Sequence, residues 1–364
     1  MTHLKKLFAL ALGVSLSGCW AFQKQVKVPT YDANATPQSQ ASAFIGAQNT
    51  MLLTNKKAFI SECNVLVAHQ TGASAGTTAG LLNNTGGRVE SKVYSIYYLK
   101  GITDEQLQNL ADSVCADAEA RLAGAGYEVV SRASLAGNEK FAKLAANGKA
   151  SPFEYGVGKN KYKVYAAKGS TVFNPAYIGA GGGLAMAMKQ AGGSAPTFME
   201  AGLVDELGAD AVRVNIALDF SSLEGDGHGK WLKKDTAEVK GKVLFAVSGD
   251  MTILPKDGVK CGKRFGNKEC YTPAKLSKLR LKFPVTSDEK FYTEIKDATT
   301  TGDKVAAVAT KAIGLLTAMA GGTGSSSSAK RTDVNIDPAA YDAVAKKSVS
   351  NFLDMALTAA KSGS

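Results

Sequence analysis

The residue types that could do covalent or metal chemistry are few and poorly spaced for it. Gly72-Ala73-Ser74-Ala75-Gly76 spells G-x-S-x-G, the letter pattern of a nucleophilic serine on a tight strand-to-helix turn, with His228 later in the chain as a base. That turn needs a helix directly behind the serine. Gly80, Gly86 and Gly87 follow instead, so the match reads as chance within a loop of small residues spanning 71–87. Beyond residue 18 the histidines are His69 and His228, and H-E-x-x-H is absent. Glu224, Asp226 and His228 alternate with Gly225 and Gly227, which marks an exposed turn rather than a cation site. Residues 179–183, GAGGG, have only loose versions of the strand, helix and acidic residue of a dinucleotide loop, so a flexible loop or close backbone packing is expected there. No catalytic, cofactor or metal residues are expected, and no enzyme activity.

Cysteines carry the remaining chemistry. Cys63, Cys115, Cys261 and Cys270 are an even set that fits two disulfides in an oxidising compartment, and three pairings are open. Cys261 and Cys270 bracket GKRFGNKE, where Gly266-Asn267 can turn the chain. The preferred pairing is therefore local, leaving Cys63 to reach Cys115. None has C-x-x-C spacing.

The fifth cysteine, Cys19, closes the segment MTHLKKLFALALGVSLSGC. Lys5 and Lys6 precede an apolar run from Leu7 to Leu16. The run is shorter than the roughly 20 residues of a spanning helix and has the length of a signal-peptide core. Leu16-Ser17-Gly18-Cys19 resembles the bacterial lipobox, in which the cysteine thiol takes a diacylglycerol before cleavage. Residues 1–18 are thus expected to be a signal peptide. Residues 19–48, with Pro29 and Pro37, are expected to be a lipidated tether. Each buried acyl methylene contributes about 0.8 kcal/mol, so two or three chains hold a protein on a bilayer. Trp20 and Ala21 leave no Asp at the second mature position, which resembles lipoproteins of enteric bacteria that are sent to the outer membrane, and the periplasmic face is expected rather than the cell surface.

Removing residues 1–18 leaves 346 residues with 41 basic and 32 acidic side chains, a net charge of +9. A basic surface beside a bilayer suits anionic lipid or peptidoglycan carboxylates. Export makes nucleic acid an unsuitable partner.

The elements that would position any site read as α/β: a mixed sheet with covering helices and two or more glycine-rich insertions. KVYSIYYL (92–99) alternates as a strand. Thr103 and Gln106 form a capping box for a helix carrying Leu107, Leu110, Val114 and Ala118, and YEVV (127–130) returns as a strand. Such a crossover normally leaves its two strands parallel neighbours. Thr197 and Glu200 predict a second capping box. Val212, Val214, Ile216, Leu218 and Phe220 then alternate with polar residues along the clearest strand. Further strands are expected at 64–69, 161–167, 242–248 and around Leu279, and a last helix follows Asp337-Pro338. The chain divides into a periplasmic α/β domain at 49–300, an apolar segment with a Gly/Ser linker at 301–332, and a C-terminal helix at 333–364.

Two segments are short of charge: 171–188 has none, and 305–320 has only Lys311. Subunit packing is the expected reason, with contact to a membrane as the alternative.

The lipobox, the stretch KVYSIYYLKGITDEQLQNLADSVCADAEARLAGAGYEVVSR, ELGADAVRVNIALDF and the helix AAYDAVAKKSVSNFLDMAL occur in this order. The order resembles the periplasmic domain shared by outer-membrane lipoproteins of the curli-secretion-channel group and the lipoprotein activators of peptidoglycan synthases. The resemblance implies a strand, helix and strand ending near Arg132, a later strand after Leu207-Gly208-Ala209-Asp210, and a terminal helix over the sheet. It implies no catalytic residue. In the channel branch it implies rings whose subunits each give two β-hairpins to a transmembrane barrel, with spanning strands of roughly 9 to 11 residues. Pro175, the glycine run and the helical pattern at 305–320 depart from such strands. The expected function is a non-enzymatic, outer-membrane-anchored lipoprotein acting through protein contacts, with self-association among them. The alternatives are a subunit of a ring-forming export pore and an envelope-remodelling hydrolase.

Overall fold

The computed structural model describes residues 29–48, 53, 55–80, 88–173, 196–228, 236–264, 267–271, 276–320 and 322–362. Cys19, residues 179–183 and most of segment 171–188 lie outside them. The chain begins with α1 (Pro37–Phe44), β1 (Ile45–Gln48), β2 (Lys57–Gly80), β3 (Arg88–Lys100) and α2 (Asp104–Gly124). Next come β4 (Glu128–Val129), α3 (Arg132–Ala136), α4 (Glu139–Ala146), β5 (Phe153–Val157), β6 (Asn160–Ala166) and α5 (Pro196–Leu207). After these run β7 (Asp210–His228), β8 (Thr236–Leu254), β9 (Lys260–Arg264), β10 (Asn267–Tyr271), β11 (Ser277–Leu281) and β12 (Val285–Ser287). The chain finishes with β13 (Tyr292–Asp297), α6 (Thr301–Met319), β14 (Thr323–Ile336) and α7 (Pro338–Ser362).

One mixed sheet runs β1-β11-β8-β7-β2-β3-β14-β13, with β4 and β6 also on β2 and β12 also on β8. Val212, Val214, Ile216, Leu218 and Phe220 are fully buried, because alternate positions of β7 face the helices. Over that face lie α2 and α7. Leu107, Leu110, Val114, Ala118 and Leu122 form the buried stripe of α2, which starts at the Thr103–Gln106 capping box. Tyr341 and Phe352 anchor α7, and Phe245, Phe291 and Tyr341 meet edge to face with ring centres 5.3 to 5.9 Å apart. The Cys63–Cys115 disulfide ties β2 to α2. A second core on the other face joins Phe59, Leu135, Phe141, Leu203 and Leu254. There the β9–β10 hairpin, closed by Cys261–Cys270, packs on α5.

Six expectations are corrected. The run from Glu224 to His228 is not a turn but the end of β7, paired with 236–240 of β8. Part of the tether is structured: Thr36 caps α1 through the Ser39 amide, with Pro37 opening the helix, and Ala41 and Phe44 are buried. The crossover through α2 does not make parallel neighbours, since β4 pairs with β2 rather than β3. Residues 71–80 are a strand, not a loop, since they ladder with β3. The Gly/Ser linker is β14, which pairs in parallel with β3 from Thr323↔Arg88 to Asn335↔Lys100. Finally, α5 begins at Pro196, and Glu200 turns inward to Arg213 instead of capping.

Candidate functional site

Two long hairpins extend beyond the core of the sheet. Strands β2 and β7 run parallel as far as Val67↔Leu218. Past that point each pairs with its own return strand. Residues 71–80 ladder with 88–97 in hairpin one, and 221–228 with 236–243 in hairpin two. The divergence follows two bulges, one between Ala68 and Gln70 and one between Asp219 and Ser221. Bulges bend and twist a strand away from its neighbour.

Each hairpin is two-sided. Successive side chains on a strand point to opposite faces, and the register places Thr71, Ala73 and Ala75 with Val93, Ser95 and Tyr97. Ser221 and Leu223 likewise share a face with Val243 and Gly241. These faces carry no charge. The charges among the described side chains of the two hairpins, Glu90, Lys92, Lys240 and Lys242, all fall on the opposite faces.

The uncharged faces meet each other. The Thr71 and Ser221 hydroxyls are hydrogen-bonded. A Cβ on Gly241 would sit 2.7 Å from the Tyr97 hydroxyl and 2.6 Å from Leu223 Cδ2, so only glycine lets the hairpins close this tightly. Thr71, Ala75, Ser95 and Ser221 are buried, whereas Ser74, Lys92, Ser222, Lys240 and Lys242 are exposed.

A cleft of about 290 Å³ lies at the base of the pair, lined by Thr71, Tyr162, Asp219, Ser221, Leu244 and Pro284 among others. The Tyr162 hydroxyl donates to Asp219 Oδ1 at 3.0 Å. Burial pushes the Asp219 carboxyl up to about 6 against the smaller opposing effect of that bond, and Tyr162 is raised chiefly by burial as well. Hairpin one is braced by the β5–β6 turn. The Gly72 amide donates to Asn160 Oδ1 at 2.8 Å, and a Cβ on Gly72 would lie 2.8 Å from Lys159 Cβ.

That contact explains the first glycine of G-x-S-x-G. Ser74 is exposed in the middle of β2, opposite Tyr94, with strand on both sides and no turn. His69 lies earlier in β2 and His228 at the end of β7, so no nucleophile elbow forms. Asp205, Cys261 and Cys270 come together, but both sulfurs are in a disulfide and Asp205 pairs with Lys268. One carboxylate does not make a metal site.

The hairpin edges differ. On the far side of β8, β11 covers 250–253 and β12 covers 245–247, so 236–243 pairs only with β7 among the described residues. The outer edge of β3 is taken along its whole length by β14. Strand β13 covers β14 only from Thr332 to Ile336, and α6 lies along the rest. Thr310 Oγ1 accepts from the Ser327 amide at 3.2 Å, and Arg331 bonds Asp303 and the Tyr98 hydroxyl. The segment 305–320 is therefore a helix with small residues inward: Gly314 and Ala318 are buried, while Val308 and Leu316 are 71% and 67% exposed. No described helix is long and apolar enough to cross a membrane.

Of the hairpin strands the sequence marks 92–97 and the start of 242–248, whereas 71–80, 221–228 and 236–241 escape it because small residues or alternating charge, rather than large apolar side chains, carry their pattern. Lys240 and Lys242 alternating with Val239, Gly241 and Val243 was the available signal. No family model, no curated protein and no solved structure matches the chain.

Proposed function

We propose that the chain is a subunit of a ring-forming export pore, anchored to an outer membrane through acylated Cys19, whose two β-hairpins join those of other copies in a closed barrel. The observation that carries this reading is the two-sidedness of the hairpins. A barrel strand offers one face to lipid and the other to water, and closure pairs the edges that lipid cannot solvate. Hairpin one extends ten residues per strand and hairpin two eight, beside the roughly 9 to 11 of a spanning strand. Before assembly the uncharged faces have no lipid to meet, and packing them together keeps both from water. Their Ala, Ser, Thr and Val content suits a surface that is buried twice, first against itself and then in a bilayer. The motif order that resembles the curli-secretion-channel group supports the same reading. The net positive charge suits anionic lipid or peptidoglycan beside the ring.

The test is conductance of the detergent-extracted full chain in planar bilayers, with its mass by light scattering. The expected results are a ring-sized oligomer, discrete channels, and a shift toward cations on K92E/K240E/K242E substitution. A stable monomer without conductance rejects the pore. Fatty-acid labelling that is lost in Cys19→Ala tests the anchor.

A second reading, an envelope lipoprotein that acts by contact alone, is favoured by the exposed apolar side of α6. It expects a soluble partner and no channel. The hydrolase alternative gains nothing from Ser74, which lies mid-strand.

A further inference from the structure

We infer that α6 and β14 form an intramolecular guard on the pairing edge of β3, which must leave before the hairpins can close into a ring. This rests on the pore reading. In a closed barrel every strand has two neighbours and no edge remains open. The outer edge of β3 is filled by β14 over its entire length, while the outer edge of β8 at 236–243 stands ready.

Strand β14 does not have the composition of a wall strand. Ser326, Ser328 and Lys330 are in register with Ser91, Val93 and Ser95, which places a lysine and two serines on the uncharged side. Ser325 and Ser327 fall on the other side. A strand that is polar on both faces has nothing to offer lipid, whereas β2 and β3 reserve one face without charge. Strand β14 would also need an open outer edge of its own to continue the wall, and α6 occupies it. The Thr310–Ser327 hydrogen bond and the approach of Gly314 to Ser325, where a Cβ would lie 2.4 Å from the carbonyl oxygen, hold the helix there. Covering a strand edge with a helix is a general protection against premature pairing between copies. Of the two outer hairpin edges, the guard therefore keeps that of β3 closed in the monomer and leaves that of β8 open.

The test cross-links the guard in place. In the full chain, Val93→Cys with Ser328→Cys joins directly partnered positions of β3 and β14. The protein is added to vesicles of phosphatidylethanolamine and phosphatidylglycerol containing a fluorescent dye, with and without reductant, beside wild type treated identically. The expected result is loss of oligomer and of dye release in the oxidised variant and recovery of both on reduction. Gly314→Leu, which pushes α6 off Ser325, is expected to shorten the assembly lag. Oligomer and dye release from the oxidised variant equal to wild type would overturn the guard and leave the pore standing. If wild type itself forms neither oligomer nor pore, the function falls and the guard with it.

Discussion

The hydroxyls of Thr71 and Ser221 share a hydrogen bond across the base of the two hairpins, and both residues are buried. The bond clasps two faces that, in a barrel, would have to part. Thr71→Cys with Ser221→Cys is expected to form a disulfide that holds the hairpins together. Single-channel recording should then show no conductance from the oxidised protein and normal channels after reduction. Undiminished conductance in the oxidised state would mean that the faces need not separate.

The α/β domain was legible because its signals are local. Alternation at 212–220, the Thr103–Gln106 box and Pro338 each mark an element by burial pattern or cap. In hairpin one the strand at 92–97 was legible, and its partner at 71–80 was not, for a physical reason. Gly, Ala, Ser and Thr at 71–80 have the composition of a loop, and only pairing with β3 makes them a strand, an override of propensity by context. The same holds for Ser325 to Ser328, which β3 and α6 order from either side. The charge-poor stretch 305–320 is instead a helix whose Val308, Ile313 and Leu316 face outward. Glu200 misled as a cap because a buried partner, Arg213, lies far from it in pattern but adjacent in space.

Asp219 sets the pH response of the hairpin base. Its carboxyl is pushed from 3.8 up to about 6, chiefly by burial. Between about pH 4 and pH 6 the unfolded chain has released this proton and the folded chain retains it. Stability should therefore fall as pH rises through that window, by about 3 kcal/mol in total. Asp219→Asn should remove this slope while keeping a partner for Tyr162. Urea denaturation of both proteins across the window checks it, and parallel profiles would show that Asp219 does not titrate there.

The two disulfides should differ in worth. Cys63–Cys115 spans 52 residues and Cys261–Cys270 spans 9. Loop-closure entropy gives about 4 kcal/mol for the first and about 3 kcal/mol for the second. The first also crosses from sheet to helix inside the main core, with Cys63 and Cys115 both buried, whereas the second closes a peripheral hairpin. Paired Cys→Ala variants should show the larger loss at 63/115 in chemical denaturation. Equal losses would place the second hairpin in the folding core.

Glu200 and Arg213 form a fully buried ion pair between α5 and the root of β7. Arg213 Nε donates to Glu200 Oε1 at 2.8 Å, Nη2 reaches the other oxygen, and Ser61 donates at 2.5 Å. Arg213→Met would leave a carboxylate inside the second core with Ser61 as its remaining donor among these. Breaking such a pair typically costs about 3 to 5 kcal/mol, because the surviving charge has lost its counterion but stays out of water. Replacing both by apolar residues of similar volume removes the stranded charge, so Glu200→Leu with Arg213→Met should be more stable than Arg213→Met alone. A double-mutant cycle followed by thermal unfolding reads this directly. If the double variant is instead the sum of the singles, the two groups act independently, and the tie that fixes the foot of hairpin two to α5 must come from the apolar contacts around Leu203 and Val204.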